Sequence, residues 1–94
     1  MSNSEIQVAH QVEKNRFEAQ VGGYTAELTY RLAGSNIIFT HTGVPPALEG
    51  RGIGSLLVKA GLEYAREKKL KVTPLCWFVA GYIQRHAEYQ DLVK

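Results

Sequence analysis

One cysteine, one methionine and one tryptophan occur in 94 residues, and the scarcity of the first already excludes a class of protein. With Cys76 alone, no disulfide can form within the chain, and a reducing, intracellular setting is the simplest expectation. No apolar run is long enough to span a bilayer. The N-terminal MSNSEIQVAHQVEKN also lacks the basic-then-apolar order of a secretory signal. An excess of one charge is missing too: 11 Lys and Arg against 9 Asp and Glu leave +2, too little to argue for nucleic acid. There is no repeat, low-complexity tract or linker. What remains is ordinary globular composition, 45% hydrophobic and 21% charged, consistent with one domain over residues 1–94 that is soluble and cytoplasmic.

The pattern of apolar residues gives the elements. Ile6, Val8 and Val12 share one parity in a first strand, and RFEAQV alternates Phe17, Ala19 and Val21 with Glu18 and Gln20. Gly22-Gly23 is a two-residue hairpin turn into the clearest strand, where Tyr24, Ala26, Leu28, Tyr30 and Leu32 alternate with polar residues. After Gly34-Ser35-Asn36, IIFTHT is rich in β-branched and aromatic residues and reads as a fourth strand ending near Val44-Pro45-Pro46. A long helix follows, with Ile53, Leu56, Leu57, Ala60 and Tyr64 on its buried side and Lys59, Glu63, Arg66 and Glu67 opposite. LKVTPL is a short fifth strand stopped by Pro74, and Trp77 to His86 is a second helix. The expected fold is mixed α/β: a central, mostly antiparallel sheet, a parallel β-α-β unit from the fourth strand to the fifth, and a C-terminal helix.

Three glycines, Gly50, Gly52 and Gly54, stand at alternate positions just before the long helix. Glycine costs backbone entropy and is unfavourable in a helix by about 0.5–1 kcal/mol relative to alanine, so a cluster here implies close approach of something to the backbone. A helix start offers free N–H groups and the positive end of a dipole, which suit an anion. Two phosphate motifs fail. The loop ends Gly54-Ser55-Leu56 without the lysine of a P-loop, and it reads G-x-G-x-G, where the dinucleotide fingerprint needs G-x-G-x-x-G.

Glu49-Gly50-Arg51-Gly52-Ile53-Gly54 instead resembles the signature loop of the GNAT superfamily of acyl-CoA-dependent N-acyltransferases, Gln/Arg-x-x-Gly-x-Gly/Ala, in the same strand-loop-helix-strand-helix setting. The resemblance covers roughly Ile37 to His86 and is closest to a minimal single-domain branch with VPPALEGRGIGS, PLCWFV and RHAEY segments. It implies that acetyl-CoA is the cosubstrate, with no metal, and that an unidentified amine is the acceptor. It further implies that Val44, Glu49, Gly50, Arg51, Gly52, Ile53, Gly54 and Ser55 bind the cofactor. Amides of Arg51 to Ser55 would hold the pyrophosphate, and Val44 with its neighbours would pair with the pantetheine arm. This sequence departs from the family in two ways. Glu49 replaces the usual Gln or Arg, and no pair of helices follows the first strand, so a partner protein could be needed to complete the acceptor side.

Two residues carry candidate catalysis. Cys76 lies just past a strand end at the start of a helix, where the dipole lowers a thiol pKa, although a buried structural thiol is the commoner fate of a lone cysteine. In the family the chain splays there, which implies that Cys76 faces the thioester. His41, across that splay, would activate Cys76 or the acceptor amine; the bland alternative is a partly buried polar residue. The family implies direct attack by the amine on the thioester, and the presence of Cys76 allows a second route through an acetyl-Cys76 intermediate. A non-catalytic CoA-binding module, or an adaptor that kept only the fold, stay open as alternatives. Tyr82 reads as core before general acid, REKKLK as a solvated helix end, and Trp77 and Phe78 as core or an exposed apolar patch.

Overall fold

In the computed structural model, residues 6–93 are described. Five strands form one sheet in sequence order: β1 Val8–Gln11, β2 Arg16–Val21, β3 Tyr24–Ala33, β4 Asn36–Gly43 and β5 Lys71–Pro74. The pairs from β1 to β4 are antiparallel and β4 pairs β5 in parallel, joined through the helix α1, Ile53–Glu67. The second helix, α2, runs Trp77–Arg85.

The strand alternation puts Phe17, Ala19, Ala26, Leu28, Tyr30, Ile37 and Phe39 on one face, all buried under the helices. Burying a Leu, Ile or Phe side chain is worth about 1.5–3 kcal/mol, so this face and the helix stripe hold the domain together. Two ends of the parity pattern differ. Tyr24 and Leu32 are half-exposed because β3 outruns the helices above it. Val12 is not in β1 but in a 3₁₀ turn, Val12–Lys14, that passes to β2 through Asn15 at φ 54°.

The stripe of α1 is also rotated from the sequence reading. Ile53, Gly54, Leu57, Val58, Gly61, Leu62 and Ala65 are buried, while Leu56, Ala60 and Tyr64 are only half-buried at its margin. Gly61 is the cause. A Cβ there would stand 2.9 Å from the Phe39 ring and 3.1 Å from Leu28 Cδ2, so its absence lets the helix close onto the sheet. Gly61→Ala should destabilise the fold by about 1–3 kcal/mol through overpacking, beyond its gain of about 1 kcal/mol in helix propensity. A lower urea midpoint with an unchanged slope is the check.

The helix stops without a glycine. Lys69 takes the left-handed conformation (φ 58°) while the Leu70 N–H bonds Ala65 O at 2.8 Å and the Lys69 N–H bonds Arg66 O, a Schellman arrangement. Beyond α2 the chain continues into a 3₁₀ segment, Ala87–Leu92, that the apolar pattern did not reveal. It buries Tyr89 and Leu92, and Tyr89 donates to Glu63 Oε2 at 2.6 Å. Arg66 holds Asp91 through two bonds of 3.1 and 3.0 Å, so this member of the REKKLK run clasps the C-terminal segment.

At the far edge, His10 stacks on Phe17 (4.0 Å between centroids), meets Tyr64 edge-on and bonds the Tyr30 hydroxyl at 2.6 Å. Burial lowers the His10 pKa below its ordinary 6.5. The unfolded chain therefore binds the proton first. The contribution of neutral His10 is present above pH 6.5 and is withdrawn as pH falls through 6.5 towards the lower folded value. His10→Gln should flatten the loss of stability between about pH 7 and pH 5, measured by urea unfolding at each pH.

Candidate active site

The site begins where β5 leaves β4. Their pairing ends at Phe39 opposite Pro74, which has no N–H to continue the ladder. Phe39 O then takes the N–H groups of both Leu75 and Cys76, each at 3.1 Å. From Thr40 to its end at Gly43 the fourth strand, with Val44 just beyond it, pairs with no strand on that side among the described residues, and a wedge opens. The wedge is a cavity of about 620 Å³, walled by β4, the glycine loop, the start of α1 and the start of α2. Its size falls in the ordinary range for small-molecule sites.

At one end lies the glycine loop. Gly50 (φ 81°) and Gly52 (φ 74°) are left-handed, a conformation that costs other residues roughly 1–2 kcal/mol. Gly54 serves packing: a Cβ there would sit 2.9 Å from the Phe78 ring, so its absence seats α2 against α1. The first intrahelical bond of α1 runs from the Leu56 N–H to Gly52 O. The N–H groups of Ile53, Gly54 and Ser55 therefore have no acceptor within the helix, and no side chain caps them. With no acidic residue in the first turn, this end is an open set of donors.

At the other end lies Cys76, the residue just before α2 and 8% exposed. Its Sγ lies 3.3 Å from the Thr42 hydroxyl. Burial pushes the thiol pKa up, but the Thr42 hydroxyl and the main-chain N–H groups of Val79, Phe78 and Thr42 favour the thiolate more, and the net shift is downward from 9.0.

Of the residues nominated from sequence, His41, Val44, Glu49, Gly50, Gly52, Ile53, Gly54, Ser55 and Cys76 line this cavity. Arg51 stands half-buried beside the wall without forming it. His41 is not brought to the thiol. Tyr30 pairs with Phe39 but Thr29 pairs with His41, so Thr40 is an extra, bulged residue. The bulge reverses the alternation, turning Thr42 towards Cys76 and His41 to the opposite face. Thr42 was the residue missed; no sequence signal marks a bulge in IIFTHT. Tyr82 lies outside the wall, buried and stacked on His86 at 3.9 Å. Trp77 (82% exposed) and Leu75 (70%) form an apolar rim at the mouth.

A wedge between two parallel strands, with open helix-start amides at one end, is the architecture of an acyltransferase class. The comparisons agree. The family model described as GCN5-related N-acetyl-transferase matches residues 16–92, and the chain belongs to this family. Protein NATD1 of Gallus gallus is 36% identical over 86% of this chain and 76% of its own length; the Homo sapiens protein of that name is 34% identical over 86% and 74%. Among solved structures, the NMR structure of a GCN5-like candidate N-acetyltransferase from Staphylococcus aureus superposes with a TM-score of 0.72 at 37% identity, covering 98% of this chain and 89% of that one. Members of the family typically use acetyl-CoA.

Among the described residues no helix is long and apolar enough to cross a membrane, and no group of three or more His, Cys, Asp or Glu is placed to hold a metal.

Proposed function

We propose that this protein transfers an acetyl group from acetyl-CoA to an amine, with Cys76 as the intermediate carrier. The observation that carries the reading is one continuous cavity with uncapped α1 amides at one end and a thiolate-favouring cysteine at the other. Amides of residues Ile53 to Ser55, with Arg51 nearby, suit a pyrophosphate. The unpaired edge of Thr40 to Val44 suits the amide-bearing pantetheine arm, which would run towards Cys76 like an added strand. There the Cys76 thiolate would attack the thioester carbonyl and expel the CoA thiolate; the acceptor nitrogen would then attack the acetyl-Cys76 carbonyl, breaking its C–S bond and giving up a proton as the Cys76 thiolate leaves.

Calorimetric titration with CoA tests the binding half of this reading. Micromolar affinity supports it; the lack of any would favour an adaptor that has the fold without the ligand.

A second reading has its own support. Between β1 and β2 there is only the 3₁₀ turn Val12–Lys14, so among the described residues no helix follows the first strand to shape an acceptor side, which suits a CoA-binding module that works with a partner protein. Acetylation of simple amines by the isolated chain, well above the uncatalysed rate, would exclude it.

A further inference from the structure

The wall of the wedge carries one formally charged side chain, and its sign is the wrong one for a pyrophosphate. Among the described residues that line the cavity, Glu49 is the only acidic residue and none is Lys or Arg. The donors left for the ligand are main-chain N–H groups at the start of α1, which bring a partial positive charge and no cation. Arg51 stands outside the wall, and among the described residues no ion pair joins it, or any other cation, to Glu49.

Local structure keeps Glu49 in that place. The 3₁₀ turn Pro46–Leu48 precedes it, anchored by the buried Leu48, whose N–H bonds Pro45 O at 2.8 Å, and the Glu49 N–H bonds Pro46 O at 3.2 Å. Gly50 follows in the left-handed conformation, at φ 81°. The main chain is therefore fixed on both sides of Glu49, which is itself exposed beside Gly50 and Gly52 at the glycine-loop end of the cavity. An exposed carboxylate is screened, yet its repulsion reaches about 10 Å at 0.1 M salt, far enough to act on any anion held by this loop.

We infer that Glu49 sets the affinity of the site: its carboxylate opposes the CoA pyrophosphate and keeps the cofactor loosely held, so that CoA leaves the wedge once its acetyl group has been passed on. The inference rests on the acyl-transfer reading and gives a role to a side chain, where that reading uses main-chain amides. The amides of α1 draw the pyrophosphate in, and Glu49 pushes back. Acetyl-CoA and CoA carry the same pyrophosphate, so the opposition acts on both alike. Tighter uniform binding would not speed the chemistry; it would only prolong the stay of the spent cofactor. Because the charge stands in the wall that the bound pyrophosphate would face, its effect falls on the complex and is read in the rate of dissociation.

The test measures CoA binding to the parent protein, Glu49→Gln and Glu49→Arg at about 0.05 M and about 0.5 M salt. Equilibrium affinity comes from calorimetry, and dissociation from stopped-flow fluorescence of Trp77, the only tryptophan and a wall residue of the same cavity. Glu49→Gln should bind CoA about 3–10-fold tighter at the lower salt, with dissociation slowed about threefold or more, and Glu49→Arg should exceed it in both. At the higher salt the gain should shrink towards none, a dependence that a mere change in loop packing would not show. Unchanged or weaker binding in Glu49→Gln, an equal gain at both salts, or an unchanged rate of dissociation overturns the inference. Uptake of CoA that Ser55→Glu weakens and Glu49→Gln leaves alone strikes only the role of Glu49, whereas no uptake by the parent or either variant removes the cofactor reading itself.

Discussion

Ser55→Glu should weaken CoA binding by about 10²-fold, close to 2.7 kcal/mol, while melting no lower than the parent protein. Ser55 is the third residue of α1 and lies half-buried in the cavity wall. A glutamate there places its carboxylate against the uncapped amides, and the first turn of this helix has no acidic residue of its own. A negative charge at a helix start stabilises by about 0.3–1 kcal/mol. The same charge occupies the donors that a pyrophosphate would need and repels it. Folding and binding are therefore driven in opposite directions by one substitution, which a general loss of structure cannot imitate. Gly52 is a poorer place for the test, since at φ 74° any side chain adds strain to the fold. Unchanged affinity in Ser55→Glu, by calorimetry beside a thermal melt, would remove the anion site from the account.

Cys76→Ala should abolish an acetylated form of the protein and cut amide formation by about 10²-fold or more. The adduct is sought by mass spectrometry of the peptide holding Cys76 after brief exposure to acetyl-CoA. Thr42→Val supplies the companion measurement. Removing its hydroxyl takes away a bond that favours the thiolate and leaves the burial that opposes it. The pH at which iodoacetamide modifies Cys76 should therefore move up in Thr42→Val, and the acetylation step should slow at neutral pH. Full activity in Cys76→Ala with no adduct in the wild type would mean that the amine attacks the thioester of CoA directly. Cys76 would then be a wall of the cavity and nothing more.

Much of the architecture was legible without coordinates, because it rests on periodicities set by local geometry. Alternation in RFEAQV and in Tyr24 to Leu32 marked β2 and β3, and Gly22-Gly23 marked the turn between them. The glycine loop, the long helix and the short strand ended by Pro74 marked the parallel unit, and with it the position of the wedge. The C-terminal 3₁₀ segment was not legible, since Tyr89 and Leu92 make a single i, i+3 pair, too short a run to mark a helix by periodicity. Nor was the rotation of the α1 stripe, because a buried glycine such as Gly61 carries no apolar signal although it sets how closely helix and sheet meet.

The sequence alone determined which segments form the five strands and the two α-helices, and that three glycines precede the first helix and a solitary cysteine the second. These follow from side-chain period, turn chemistry and the missing N–H of proline, all of which act within a few residues. Tertiary structure decided which face each candidate residue serves. One bulged residue, Thr40, sends Thr42 to the thiol and His41 to Glu27, and it exists only in the register between β3 and β4. Because side chains alternate along a strand, a single unpaired residue reverses every assignment after it, and pairing between strands is a property that neither strand carries by itself.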